Sequence, residues 1–258
     1  MKPRVVAVVN QKGGVGKTTT AINLGAALAA YERRTLLIDL DPQGNCTAGL
    51  GVQVDAGAAT TYEVLTGQVQ LRDAVRATEF PHLSLLPATP ELAGAEVELV
   101  GMVGREFRLR EALDGFDDGR YVLVDCPPSL GLLTVNALAG ADALIVPIQC
   151  EYFAMEGVSN LLKTVDEVRR FLNPELAIDG IVLTMYDDRT NLAQQVAQEV
   201  RSVFGDLVFE AVVPRNVRLA EAPSFGRPIH AYDLRRKCAQ AYLQLGREYL
   251  TRMAGNHG

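Results

Sequence analysis

The residues best suited to chemistry gather near the start of the chain, in the run Asn10-Gln11-Lys12-Gly13-Gly14-Val15-Gly16-Lys17-Thr18-Thr19-Thr20. Gly13, Gly14 and Gly16 permit positive φ and let backbone N–H groups approach an anion with no Cβ in the way. Lys17 is spaced to reach the β- and γ-phosphates of a nucleotide, and the Thr18 hydroxyl to ligate Mg²⁺. Further carboxylates close apolar runs: Asp39 and Asp41 end Thr35–Asp41, and Asp125 ends Tyr121–Asp125. A strand-terminal aspartate downstream of such a loop is placed to hold Mg²⁺ through water, whereas alone it caps a turn.

Those positions require particular elements. Arg4–Val9 is a β-branched run that predicts a buried strand, and the segment from near Lys17 to Ala30 predicts a helix. Strand, glycine-rich turn, Gly-Lys-Thr and helix together make a phosphate-binding loop; a ligand-free turn needs only the glycines. Further buried strands are expected at Leu83–Pro87, Ala143–Pro147, Ile181–Met185 and Leu207–Val213. Helices are expected at Thr61–Leu65, over 91–113 with breaks near Gly101 and Gly104, from Met155, after Asn191 as cap, and at Ala239–Met253. Val158, Leu161, Leu162, Val165 and Val168 share one helical face, and so do Leu192, Val196, Val200 and Val203. Val54–Thr60 is a surface loop. Alternating strands and helices predict an α/β fold with a doubly wound, mostly parallel sheet flanked by helices, a P-loop NTPase type spanning residues 1–258 as a single domain.

Composition sets the outer bounds. The 258 residues are 48% hydrophobic, enough for a sizeable core, and no apolar run is long enough to span a membrane. The first strand begins too early to leave room for a signal peptide, so a cytoplasmic protein is expected. Cys46, Cys126, Cys150 and Cys238 lie far apart and read as small apolar fillers. The net charge of −6 is uneven: residues 1–179 hold 15 basic and 23 acidic residues, residues 180–258 hold 10 and 8. A local arginine patch can bind a phosphate backbone, although genome composition can also favour arginine.

The loop departs from its common form by placing Lys12 before the glycines. Lys-Gly-Gly-Val-Gly-Lys-Thr resembles the deviant Walker A motif of the ParA/MinD superfamily of ATPases. The resemblance to its chromosomal ParA/Soj branch runs over residues 4–253: Asp41-Pro42-Gln43-Gly44-Asn45 resembles switch I, Pro127-Pro128-Ser129-Leu130-Gly131 resembles switch II, and Gln149-Cys150-Glu151-Tyr152-Phe153-Ala154-Met155-Glu156-Gly157 and Pro214-Arg215-Asn216-Val217-Arg218 also match.

The resemblance implies ATP held by Gly13, Gly14, Val15, Gly16, Lys17, Thr18 and Thr19, with Thr18 and Asp125 on Mg²⁺ and Asp41 on the hydrolytic water. It implies a homodimer in which Lys12 and Glu151 approach the partner's nucleotide. Pro214 and Arg215 would cup the adenine, with Arg215 open to a DNA role instead. Arg189 and Arg218 match DNA-contacting positions, with Arg235 and Arg236 adding charge, so the ATP form would bind double-stranded DNA non-specifically. The implied function is chromosome or plasmid partitioning at the nucleoid, with slow hydrolysis stimulated by a ParB/Spo0J-type protein. A MinD-like membrane switch is the alternative, but Gly246 and two basic residues in 241–253 make a poor amphipathic anchor. An iron–sulfur ATPase would need bridging thiolates in another context, and a metabolic P-loop enzyme would leave the arginine segments unexplained.

Overall fold

Among the described residues one sheet holds eight strands, all but the two-residue β3 built on runs rich in valine, leucine and isoleucine: β1 Arg4–Val8, β2 Thr35–Asp39, β3 Arg76–Ala77, β4 Leu83–Leu86, β5 Tyr121–Asp125, β6 Ala143–Gln149, β7 Ala177–Tyr186 and β8 Val208–Pro214. The computed structural model describes residues 2–116, 120–151 and 154–255, with the backbone alone for 154–157. Strand order is β3-β4-β2-β5-β1-β6-β7-β8, and every pairing is parallel except β3 with β4. From β1 the chain winds out over β2 and β4, then returns to β5 and proceeds the other way over β6 to β8. The loop after β1 therefore sits where strand order reverses, at the carboxyl edge where such sheets take ligands.

Both faces of the sheet are covered. Val5, Ala7 and Val9 join one apolar cluster and Val6 and Val8 the other, which is why these strands read as continuous rather than alternating apolar runs. The helix Lys17–Ala30 lies against Val6, Val8 and Leu37, and the terminal helix Lys237–Gly255 packs over it. A Cβ on Gly246 would come within 2.9 Å of the Ala27 Cβ, so that glycine permits a close helix crossing. Tyr242, Leu245 and Tyr249 are fully buried on the same helix. It is a packed element, and no helix among the described residues is long and apolar enough to cross a membrane.

Several boundaries depart from the sequence expectation. β2 stops at Asp39 because its carboxylate accepts the Asp41 N–H at 3.2 Å and turns the chain. The helix Asn191–Phe204 is capped by Thr190, whose hydroxyl accepts from Ala193 N, and Asn191 lies inside it. Its inward face is Ala193, Val196 and Val200, while Leu192 and Val203 are 44% and 58% exposed on its flanks. Short helices at Asn45–Gly49 and Leu71–Ala74 and the edge strand β3 lack the length for a periodic signal. The 91–113 stretch is broken as expected, into Leu92–Leu99, a 3₁₀ turn at Arg105–Phe107 and Arg108–Leu113. All four cysteines are buried and unpaired.

Candidate active site

The parallel register sets the site. Val8 of β1 and Asp39 of β2 both pair with Asp125 of β5, so the loop after β1 and the two aspartates leave the sheet side by side. The loop is anchored from below. Asn10 donates to the Pro147 carbonyl at 2.7 Å and accepts from Lys12 N at 3.0 Å. Thr184, near the end of β7, donates its hydroxyl to the Val15 carbonyl at 2.8 Å. Asn10 closes one apolar run and Thr184 interrupts another, signals that only the neighbouring strand makes interpretable.

Gly14 and Gly16 adopt φ of 76° and 88°, conformations that a side chain would strain. Gly13 does not take positive φ, contrary to expectation; a Cβ there would meet nothing within 4 Å. Its freedom is one of space. Val15 is buried beneath the loop and Thr19 lies partly covered in the first helical turn, its carbonyl bonded by Asn23. The helix starting at Lys17 has no side-chain cap, which leaves its first N–H groups available to an anion.

Lys17 is 7% exposed, and its Nζ donates to the Lys12 carbonyl at 3.2 Å. Burial lowers its pKa, with Asp125, Cys126 and Asp41 opposing. Both Asp125 oxygens are buried without a hydrogen-bond partner of good geometry. Burial first, then Asp39, pushes the Asp125 pKa well up; the Thr18 hydroxyl and Lys17 pull it down only in part. A buried carboxylate left in this state fits a cation that the protein alone does not supply. Thr18 and Asp125 offer the hard oxygen donors that Mg²⁺ takes, and the pair fits that ion.

Asp41 is 7% exposed, and its Oδ1 accepts from Gln43 N at 3.0 Å. It both caps its turn and faces Lys17 closely enough to influence it. Asp39 is fully buried, and Thr47 donates to it through N–H at 2.8 Å and hydroxyl at 2.6 Å. Burial raises the Asp39 pKa to about 6. Lys12 lies at the rim, 3.8 Å from Glu151 in the same chain, and both are partly exposed. Tyr152 and Phe153 of the adjacent matching segment lie outside the described residues, as do the side chains of Ala154, Met155, Glu156 and Gly157.

The candidate arginines lie on later segments of the chain. Pro214 ends β8, and the exposed Arg215 donates its backbone N–H to Tyr186 O at 2.9 Å. Arg189 forms a two-pronged pair with Asp187, at 2.7 and 2.8 Å. Arg218 pairs with Glu221 at 2.6 Å, and Arg236 with Asp233 at 2.8 Å. Arg235 is exposed next to Arg236. Three of these arginines, Arg189, Arg218 and Arg236, are thus engaged by carboxylates of the same chain. Asn23 joins the two regions: its Oδ1 accepts from Ile229 N at 2.7 Å, tying the loop's helix to the arginine segment.

A family model described as an AAA domain matches residues 3–178. The chain is 55% identical to the chromosome partitioning protein ParA of Myxococcus xanthus over 96% of its length and 88% of that protein's. It is 51% identical to the sporulation initiation inhibitor protein Soj of Bacillus subtilis, covering 95% and 97%. Among solved structures, a cobyrinic acid a,c-diamide synthase of Mycobacterium smegmatis with bound ADP and magnesium matches at TM-score 0.86 and 40% identity, covering 98% and 96%. The cell division ATPase MinD of Pyrococcus furiosus matches at TM-score 0.79 and 26% identity, covering 96% and 98%. With the deviant loop, the strand-end aspartates and this likeness over nearly the whole length, the chain belongs to the ParA/Soj family of chromosome-partitioning ATPases.

Proposed function

We propose that residues 1–258 act as one ATPase domain that binds ATP and Mg²⁺, dimerises in the ATP form, and then binds double-stranded DNA without sequence preference during chromosome or plasmid partitioning. The observation that carries the reading is the buried Asp125, whose oxygens lack a well-formed hydrogen bond, close to Lys17 and Thr18 after the glycine loop. In this reading the loop from Gly13 to Thr19 wraps the phosphates, and Lys17 exchanges the Lys12 carbonyl for phosphate oxygens. Thr18 and Asp125 would hold Mg²⁺, which would supply countercharge to the phosphates. Asp41 orients the hydrolytic water. Pro214 and Arg215, at the carboxyl end of β8, flank the base.

Lys12 leaves Glu151 to reach the partner's nucleotide, a charge supplied in trans like an arginine finger. Glu151 approaches the partner's nucleotide across the same interface. An exposed ion pair contributes only about 0–1 kcal/mol, so giving it up costs little. Arg189, Arg218, Arg235 and Arg236, doubled by the dimer, form the DNA face; a ParB/Spo0J-type protein stimulates otherwise slow hydrolysis, and the protein works at the nucleoid.

The test is DNA binding with ATP, ADP and no nucleotide. Affinity that appears with ATP alone, is indifferent to base sequence and falls steeply with salt supports the reading. A wild-type chain that never binds DNA with ATP at low salt overturns it.

A further inference from the structure

The run from Asp41 to Thr47 leaves β2, turns, and enters the helix Asn45–Gly49, and one buried carboxylate holds both of its ends. Oδ1 of Asp39 accepts from Asp41 N at 3.2 Å, and Oδ2 accepts from Thr47 N at 2.8 Å and Thr47 Oγ1 at 2.6 Å. The same Thr47 hydroxyl accepts from Ala88 N at 3.0 Å, just beyond β4. Asp39 and Thr47 are 0% and 5% exposed, so water offers them little replacement. Gly44, at the bend, takes φ of 63°, and a Cβ there would lie 3.1 Å from the Ala88 carbonyl. The turn is therefore held at two ends and pressed against the segment that follows β4.

A buried threonine that merely satisfied its neighbours would make similar hydrogen bonds. What lies between the clamped ends points further. The turn carries Asp41, whose Oδ1 accepts from Gln43 N inside it, so the direction of that carboxylate follows the turn's backbone. Asp39 is also the register partner of Asp125 on the next strand. One carboxylate thus sets Asp41 relative to Asp125 and the loop.

We propose that Thr47, acting through Asp39, is a positioning residue for hydrolysis: its hydroxyl locks the Asp41–Gly44 turn so that the Asp41 carboxylate is held in its working direction. This rests on the role given to Asp41 above. Thr47→Val keeps the shape and removes the hydroxyl; Thr47→Ser keeps the hydroxyl. Small misplacements of a reacting group cost about 10- to 100-fold in rate, so Thr47→Val should lower kcat by about that factor while Mg·ATP affinity stays within about twofold. Thr47→Ser should recover most of the loss. Because Thr47 works through Asp41, Asp41→Ala with Thr47→Val should be no slower than Asp41→Ala alone.

A Thr47→Val variant with wild-type kcat overturns the inference, and so does one that slows the Asp41→Ala background by its full factor. If Asp41→Ala itself hydrolyses like wild type, the reading of the site fails and the inference falls with it. Should Thr47→Val not fold, amide hydrogen exchange of the wild-type chain decides. The Asp41 and Thr47 N–H groups should be protected together, and exchange at the rate of an unstructured peptide overturns the clamp.

Discussion

Asp125 meets two opposed demands. Ligating a cation requires a charge, and its fully buried position among Asp39, Asp41 and apolar strand ends penalises one. For a carboxylate whose folded pKa is raised, the folded state holds the proton more tightly than the unfolded chain does. Stability from that proton is present at low pH and is lost as pH rises from the unfolded value toward the folded one. Asp39, raised from 3.8 to about 6, behaves the same way over that window. Asp125→Asn keeps the shape without the charge. It should stabilise the nucleotide-free chain by about 1–3 kcal/mol where the wild-type carboxyl must ionise, and less at low pH where it is protonated. The same substitution should abolish Mg²⁺-dependent nucleotide binding. Thermal melts over a pH series, with and without Mg·ATP, check both parts; a gain that does not grow with pH as the wild-type carboxyl ionises would contradict the first.

At the scale of elements, the glycine loop and the turn after β2 are separate devices with separable failures. A side chain at Gly13 meets nothing within its own chain, so Gly13→Val should fold and still bind nucleotide. On the proposed reading two such loops face each other, and the added branches should block assembly. Asp41→Ala should do the reverse: ATP-bound dimers accumulate because hydrolysis, and not binding, is lost. Light scattering with ATP separates the outcomes, with Gly13→Val monomeric and Asp41→Ala dimeric after wild type has turned over its ATP. Gly14→Val and Gly16→Val are poor substitutes as tests, since their positive φ would add backbone strain to any effect.

For the whole molecule, the question is how a chain of net charge −6 would hold DNA. Its arginines at 189, 218 and 236 are each engaged by a carboxylate of the same chain, so a phosphate must displace Asp187, Glu221 or Asp233. Such exposed pairs are weak and screened by salt, so several phosphate contacts made together outcompete them. Arg218→Glu should remove DNA binding and leave ATP-driven assembly intact. Arg218→Ala should lower the salt slope by about one unit per lost contact, or about two for a symmetric dimer. Glu221→Gln should act oppositely, freeing Arg218 and tightening DNA binding at a given salt. Titrations over a salt series test the three together; full affinity of Arg218→Glu at every salt concentration would remove Arg218 from the interface.

Parts of the protein whose signal is local are legible in the order of its residues. Valine- and leucine-rich runs buried on both faces marked β1, β2, β4, β5, β6, β7 and β8, because a parallel sheet between helix layers leaves no face for polar residues. Gly-Lys-Thr after the first strand marked the loop, since phosphate chemistry needs those residue types at that spacing. Spacing did not reveal which distant residues complete the site. Thr47, Thr184, Asn10 and Asn23 look like ordinary polar residues until parallel register and helix packing bring Asp39, Val15, Pro147 and Ile229 to them. Nor did composition show that the arginines would be paired, or that Gly246 serves a helix crossing. Those facts depend on distances between segments far apart in the chain, and such distances exist only once the sheet has fixed its strand order and the helices have closed over it.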